Sequence, residues 1–180
     1  MDSSDIKAFS LLQSLEQRGR DHAAALPVQD EVHERWAGIG FRLGGWRLVA
    51  SMGDVVEILT YPQLSPVPRT KAWVRGIANV RGNLLPIMDL SGFLEQRSAA
   101  LTRLSRVLVV QKAGVTSGLL VDEVLGMRQF DDEERVAVPG GVGETLRPYV
   151  SGAYRRDDGD WLVFSIQALV SDPQFLKVGS

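Results

Sequence analysis

The stretch Gly76–Leu90, GIANVRGNLLPIMDL, is the most informative part of this chain. It places one arginine, Arg81, between two glycines and follows it with the apolar run Leu84 to Met88. The glycines predict turns at which the backbone can approach a partner closely, and the apolar run predicts a buried strand. Arg81 and Asn79 are expected where a strand begins, so that Arg81 presents a fixed cation. The arrangement predicts docking rather than catalysis.

After Trp36 the apolar residues recur with period two, as they do in β-strands. Three pairs of such strands are predicted to form hairpins: Phe41 to Ala50 around Gly44-Gly45, Val107 to Val121 around Lys112-Ala113-Gly114, and Tyr149 to Ile166 around the charged turn Arg155 to Asp160. No long helical crossover separates the strands. We therefore predict a mostly β protein, built as one antiparallel barrel or a pair of barrels.

The beginning of the chain has a different pattern. Ile6, Phe9, Leu12 and Leu15 have helical spacing, with aspartates before them and arginines after them, which matches the helix dipole. We predict one amphipathic helix over residues 4–25 and a polar linker behind it. The apolar stripe leaves two alternatives open: the helix packs on its own domain, or it is a partner-binding or flexible arm.

Composition limits the compartment and the partners. With 180 residues, 44% of them hydrophobic, the chain can form a hydrophobic core without a disulfide or a structural metal. Cysteine is absent, which excludes disulfides and thiolate metal sites and fits a reducing cytoplasm. A net charge of -2 gives no broad attraction to nucleic acid or anionic lipid. Because no apolar run approaches the ~20 residues of a membrane span, we expect a soluble, cytoplasmic protein without direct membrane insertion.

The sequence offers no catalytic constellation. His22 and His33 lie far from the strand region, and neither has a metal-ligand partner at suitable spacing. The glycine-rich stretch Pro139 to Glu144 lacks the Lys-Ser/Thr pair of a phosphate-binding loop. The acidic clusters Asp131 to Glu134 and Asp157 to Asp160 lack the ligand spacing of calcium loops. We expect no enzymatic activity, no catalytic residue, no cofactor and no metal.

Three blocks of sequence resemble the CheW-like domain of bacterial chemosensory systems. They are Gly76–Leu90, Val107–Met127 (VLVVQKAGVTSGLLVDEVLGM) and Tyr149–Val170 (YVSGAYRRDDGDWLVFSIQALV), preceded by VVEIL at Val55–Leu59. Within that family, the segment WAGIGF at Trp36–Phe41, the WVRG step before the first block and the long amino-terminal extension are most similar to the adaptor of type IV pilus twitching motility.

The resemblance implies two small five-stranded SH3-like barrels that share a core. This CheW-like domain is expected over residues 37–172, after an amino-terminal helix and linker over 1–36 and before a C-terminal tail over 173–180. The implied function is a non-catalytic adaptor that couples the cytoplasmic tip of a chemoreceptor to the regulatory domain of a CheA-type histidine kinase. We expect it to control twitching motility and to be recruited to membrane-associated receptor arrays. A flagellar chemotaxis coupling protein is the alternative.

The receptor-binding groove of the family lies between the two barrels. Its positions are occupied in this chain by Val55, Glu57, Gly76, Asn79 and Arg81. Several of these positions also have a structural alternative: Arg81 pairs with Asp89 or Glu57 inside the molecule, Val55 belongs to the core, and Gly76 meets a backbone requirement. Asp89 is expected to cap a short helix that begins at Leu90.

Two other function classes were weighed against the adaptor. Small β-barrels also bind oligonucleotides, but that use needs basic grooves with stacking aromatic side chains, and this chain is acidic with 7% aromatic residues. An enzyme would need a convergent cluster of polar side chains, which the sequence does not indicate. We therefore expect protein partners and no nucleic acid.

Overall fold

The computed structural model describes residues 35–179 except residue 96. The strands are β1 (Trp36–Leu43), β2 (Trp46–Ser51), β3 (Val55–Thr60), β4 (Val74–Val80), β5 (Asn83–Asp89), β6 (Arg106–Lys112), β7 (Val115–Val121), β8 (Glu123–Phe130), β9 (Arg135–Val136), β10 (Val150–Arg156) and β11 (Gly159–Phe164). The helices are α1 (Leu90–Glu95), α2 (Ile166–Ser171) and α3 (Pro173–Leu176), with 3₁₀ turns at Asp132–Glu134 and Arg147–Tyr149. The predicted amino-terminal helix and linker lie outside the described residues.

The strands form two sheets, so the predicted mostly β fold is confirmed. The first sheet has the order β8-β1-β2-β11-β10-β9 and the second has the order β3-β6-β7-β5-β4. The pairs β2–β11 and β5–β7 are parallel, and the other pairs are antiparallel. The second sheet has the five strands expected. The first has six, because the two-residue strand β9 pairs with Ala153 and Tyr154 of β10.

All three predicted hairpins are present. Their two-residue turns are Gly44-Gly45 between β1 and β2, Ala113-Gly114 between β6 and β7, and Asp157-Asp158 between β10 and β11. Ala113 and Gly114 both have positive φ, 50° and 79°. Two successive positive φ values give the turn a twist that matches that of the flanking strands, which is why short loops of this type join β-hairpins.

The second sheet closes into a small barrel through the chain that follows β3. Ser65 and Ile77 exchange two backbone hydrogen bonds of 2.9 Å each, and Ile77 belongs to β4, at the opposite edge of the sheet from β3. Gly76 lies beside this bridge with φ 140°, and an added Cβ there would lie 2.6 Å from the carbonyl oxygen of Ser65. Only glycine fits this conformation and this spacing.

The two sheets share a hydrophobic core. The largest buried cluster combines Phe41, Leu48, Ala50, Leu162 and Phe164 of the first sheet with Met88, Leu108, Val110, Leu119 and Val121 of the second. Each sheet has a separate cluster on its other face, around Trp161 in the first sheet and around Ile87 in the second. Because β6 and β7 are covered on both faces, their sequences contain the continuous apolar runs VLVV and GLLV rather than an alternation.

The predicted buried run Leu84 to Met88 is correct only in part. Leu85, Ile87 and Met88 are buried, but Leu84 is 74% exposed, so the prediction was wrong there. Leu85 and Ile87 face the interior of the second barrel. Leu84 lies on the opposite face of β5, near the turn and beyond the part that the first sheet covers, so its side chain contacts solvent.

The C-terminal residues brace the connection between β3 and β4. Phe175 in α3 is 1% exposed and packs edge-on against Phe93 of α1 at 5.3 Å between ring centroids. The backbone N–H of Lys71 donates to the carbonyl of Val178 at 2.9 Å. Residues 173–179 therefore hold the segment that leads into β4. In the described part of the chain, every helix is too short or too polar to span a bilayer.

Candidate partner-binding site

The candidate site is centred on the turn between β4 and β5. The sequence predicted Asn79 and Arg81 at the beginning of a strand; the structure instead places Asn79 within β4 and Arg81 with Gly82 in a two-residue turn. The φ values of Arg81 and Gly82 are 51° and 84°. A positive φ disfavours a residue with a Cβ. The turn is supported by the side chain of Asn79, whose Oδ1 accepts a 2.9 Å hydrogen bond from the backbone N–H of Gly82.

Arg81 forms an ion pair with Glu57 across the seam of the second barrel. Its Nη2 lies 2.8 Å from Oε1 of Glu57, while the Arg81 side chain is 80% exposed and that of Glu57 is 26% exposed. Of the two intramolecular partners considered for Arg81, the structure shows Glu57. A guanidinium has five N–H donors, so this contact leaves most of them free to bind another molecule. The carboxylate orients the arginine without burying it.

Asp89 has the structural role that the sequence predicted. Its side chain is fully buried and accepts a 2.9 Å hydrogen bond from the backbone N–H of Gly92, in the first turn of α1. Its other oxygen accepts from the N–H of Ala99 at 2.8 Å and lies 3.9 Å from Nη1 of Arg75. Asp89 therefore caps the helix and anchors the loop behind it, away from the solvent.

Val55 and Gly76 contribute backbone shape and packing rather than exposed groups. Val55 is half-buried against the shared core and is aligned with Val110. A register shift follows, so that Glu57 is aligned with Val109, on the face of β3 opposite to Val55. The structure thus brings Glu57, Asn79 and Arg81 together at one end of the second sheet, with Gly76 buried in the same strand as Asn79. Val55 instead packs against the shared core.

Leu84 also belongs to this surface, although the apolar run around it predicted burial. Leu84 is directly opposite Asn79 in the β4–β5 register and follows the turn that carries Arg81. The period-two alternation of β5, with Leu85 facing inward, is the signal that identifies Leu84 as outward-facing. The surface therefore combines the cation of Arg81 with the apolar side chain of Leu84.

Among the described residues, no metal-binding cluster lies at this surface. Within residues 35–179, leaving out residue 96, no three His, Cys, Asp or Glu side chains are arranged to hold a metal ion. Burial raises the pKa of Tyr149, and the guanidinium of Arg155 lowers the pKa of Asp160 through a hydrogen bond. Both groups belong to the first sheet and its flanking segments, and not to the β4–β5 turn. The arrangement at Arg81 can bind a partner by hydrogen bonds and apolar contact.

Comparison with known proteins identifies the family. The family model described as CheW-like domain matches residues 37–174. The chain belongs to the CheW-like domain family. Protein PilI of Pseudomonas aeruginosa is 46% identical to it over 176 residues, which cover 97% of this chain and 98% of PilI. Protein FrzA of Myxococcus xanthus is 33% identical over 62% of this chain and 69% of FrzA.

The CheW-like fold is also seen in a solved structure. The scaffolding protein TtCheW from Thermoanaerobacter tengcongensis superposes with a TM-score of 0.67 and 23% identity, over 77% of this chain and 94% of TtCheW. The chemotaxis protein CheW of Rhizobium meliloti is 31% identical over 63% of this chain and 74% of its own length. The predicted family and the predicted similarity to the pilus-type adaptor are both confirmed.

Proposed function

We propose that this CheW-like protein is a non-catalytic adaptor that couples the cytoplasmic tip of a chemoreceptor to a CheA-type histidine kinase in the control of type IV pilus twitching motility. Family membership supports the coupling role. The 46% identity to PilI over nearly the whole of both chains supports the pilus system, whereas the similarity to the CheW of Rhizobium meliloti is 31% over 63% of the chain. The adaptor works in the cytoplasm and is recruited to membrane-associated receptor arrays.

The exposed and oriented Arg81 guanidinium carries the proposal. A cation that is 80% exposed yet held at 2.8 Å by a carboxylate loses little conformational freedom when a partner binds. Its free N–H groups suit carboxylates or the carbonyls at the tip of a helix. Leu84 adds an apolar contact beside it. A small surface of this kind suits the modest, reversible affinity that a coupling protein needs.

Within the proposed receptor-binding site, the five residues have different roles. Arg81 contacts the receptor directly, and Glu57 orients it. Asn79 maintains the turn through its hydrogen bond to Gly82. Gly76 and Val55 act through the shape of β4 and β3, because Gly76 is buried and Val55 packs against the shared core.

The decisive experiment is co-sedimentation of the full chain with a receptor cytoplasmic fragment. Arg81→Glu is expected to weaken binding roughly thirtyfold, the effect of losing about 2 kcal/mol at the centre of an interface. Arg42→Glu is the matched control, because Arg42 is also an exposed arginine beside a glutamate, 3.5 Å from Glu123, but it belongs to the first sheet. Unchanged receptor binding by folded Arg81→Glu would refute the assignment. A ternary complex with the kinase regulatory domain tests the second partner.

A further inference from the structure

The loop between α1 and β6 is strongly basic. Between Glu95 and Asp122 the sequence contains no aspartate or glutamate, whereas the loop contributes Arg97 and Arg103, and Arg106 follows as the first residue of β6. In the described part of the chain, none of these three guanidinium groups lies within 4 Å of a carboxylate oxygen. Arg97 and Arg103 are exposed, whereas Arg106 is half-buried and donates to the carbonyls of Arg103 and Ser105. Arg97 lines a shallow cavity with Glu95 and Asp122, so the outward positive charge of the loop is carried mainly by Arg97 and Arg103.

The same loop exposes two leucines. Leu101 is 49% exposed and Leu104 is 55% exposed, and Thr102 and Arg103 lie between them in the sequence. A leucine in water forgoes the free energy that burial of its side chain would give. Together with the three arginines they form a mixed apolar and cationic surface over residues 97–106, which we call the arginine–leucine loop.

Hydrogen bonds hold the arginine–leucine loop in one conformation. The backbone N–H of Thr102 donates to Oγ of Ser105 at 2.9 Å, and the N–H of Leu104 donates to Oγ1 of Thr102 at 3.1 Å. Nη1 of Arg106 donates to the carbonyl of Arg103 at 2.9 Å. Ser105 is buried, so the tip of the turn faces outward. A surface that is ordered before binding loses less conformational entropy when a partner arrives.

The loop is distinct from the site at Arg81. Arg106, at its end, is aligned with Thr60, the last residue of β3. Glu57, the partner of Arg81, lies three residues earlier on that strand, about 10 Å away at the rise of an extended chain. Residues 97–105 precede Arg106 in the chain and include neither Arg81 nor Glu57, so they offer a second surface with its own residues.

We propose that the arginine–leucine loop binds an acidic segment of a partner protein that also presents apolar side chains. The small number of arginines favours an acidic protein segment over a membrane or a nucleic acid. Three guanidinium groups are fewer than the clusters of four to eight basic residues that bind anionic membranes, and fewer than the six to ten phosphate contacts that dominate many protein–DNA complexes. Arginine forms paired hydrogen bonds with carboxylates, and leucines add contact area that a purely acidic segment would leave unused.

The test measures binding of a fluorescein-labelled copolymer of glutamate and leucine to the full chain by anisotropy. The wild-type protein is expected to bind it, and added salt is expected to weaken binding because Arg97 and Arg103 are exposed. Replacing both leucines, Leu101→Ser with Leu104→Ser, is expected to weaken binding at least about tenfold. Arg97→Gln with Arg103→Gln is expected to reduce the salt dependence.

Matched controls separate this surface from others. Met127→Ser removes a side chain that is 54% exposed on the first sheet and is expected to leave copolymer binding unchanged. Melting curves show whether each variant is folded. The proposal is overturned if the wild type does not bind the copolymer, if polyglutamate binds equally well, or if folded leucine variants bind as the wild type does. Equal or tighter binding to phosphatidylglycerol vesicles, lost in the same variants, would also overturn it in favour of a lipid surface.

Discussion

Arg81 and Glu57 join the two edge strands of the five-stranded sheet. Arg81 follows β4 and Glu57 lies in β3, the strands at opposite ends of the order β3-β6-β7-β5-β4, and their side chains meet at 2.8 Å. An ion pair that is 80% exposed at the arginine stabilises a fold by no more than about 1 kcal/mol. The main effect of the pair is therefore to orient the guanidinium at the surface rather than to hold the barrel closed.

Exchanging the charges of Arg81 and Glu57 tests whether receptor binding needs the cation at position 81 or only the ion pair. The double variant Arg81→Glu with Glu57→Arg keeps an ion pair across the seam but moves the cation to β3. We expect the free energy of unfolding in urea to stay within about 1 kcal/mol of the wild type. Receptor binding in the co-sedimentation assay is expected to stay as weak as in Arg81→Glu alone. Recovery of binding in the double variant would show that the pair, and not the position of the cation, matters.

Gly76→Ala tests the closure of the second barrel. The new Cβ would lie 2.6 Å from the carbonyl oxygen of Ser65 at a residue with φ 140°. We expect the free energy of unfolding to fall by about 2 kcal/mol or more, because backbone strain and a steric clash act together. Gly45→Ala is the control, since nothing lies within 4 Å of its Cβ position. Urea midpoints that agree for Gly76→Ala and Gly45→Ala would contradict this explanation.

Because the hydroxyl of Tyr149 has a raised pKa, we expect the free energy of unfolding to fall at alkaline pH. Burial, and then the hydrogen bond that its hydroxyl donates to Asp172, raise the pKa of Tyr149 above the usual value of about 10. The folded protein then keeps a proton that the unfolded chain releases, so this stability is complete below about pH 10 and is lost as the pH rises further.

The variant Tyr149→Phe measures this effect. It is expected to cost about 1 kcal/mol at neutral pH through the lost hydrogen bond. The fall of the unfolding free energy above pH ~10 is expected to become shallower, because one group with a raised pKa has been removed. Burial also raises the pKa of Tyr154, so part of the fall remains. An identical alkaline fall in the wild type and in Tyr149→Phe would contradict the assignment.

Deletion of residues 1–30 tests the proposed boundary between the amino-terminal segment and the CheW-like domain. We propose that the domain folds without the amino-terminal helix and linker, because β1 to β11 hydrogen-bond to one another from Trp36 to Phe164 and form both sheets. The shortened chain is expected to melt within a few degrees of the full chain. A large drop in its melting temperature would show that the segment packs into the core.

The hairpins of this fold could be predicted because their signals are local. Gly44-Gly45 and Ala113-Gly114 mark turns, in which Gly44, Ala113 and Gly114 have positive φ, and strand-forming apolar residues flank them. The helix cap at Asp89 was predictable for the same reason, since a carboxylate before a short helix bonds to the N–H groups of its first turn. In these cases, interacting residues lie within a few positions of one another.

The candidate site could be predicted only in part. Its motif identified Asn79 and Arg81 as members, but the turn between β4 and β5 was placed wrongly and Leu84 was assigned to the core. The alternation along β5 indicates that Leu84 and Leu85 face opposite sides of the strand, but whether the side of Leu84 is covered depends on where the first sheet ends. The pairing of Arg81 with Glu57 rather than with Asp89 likewise depends on the meeting of β3 and β4 when the barrel closes.

The strand-forming segments and the tight turns follow from the amino-acid sequence, because glycine positions and apolar periodicity act over a few residues, and the three motif blocks indicate the CheW-like family through their resemblance to it. The parallel pairings of β2 with β11 and of β5 with β7, the shared core, and the exposure of Leu84, Leu101 and Leu104 depend on the assembled fold. These features join segments that are distant in the chain. Their free energies depend on which surfaces cover one another, and that is settled only when both sheets have formed.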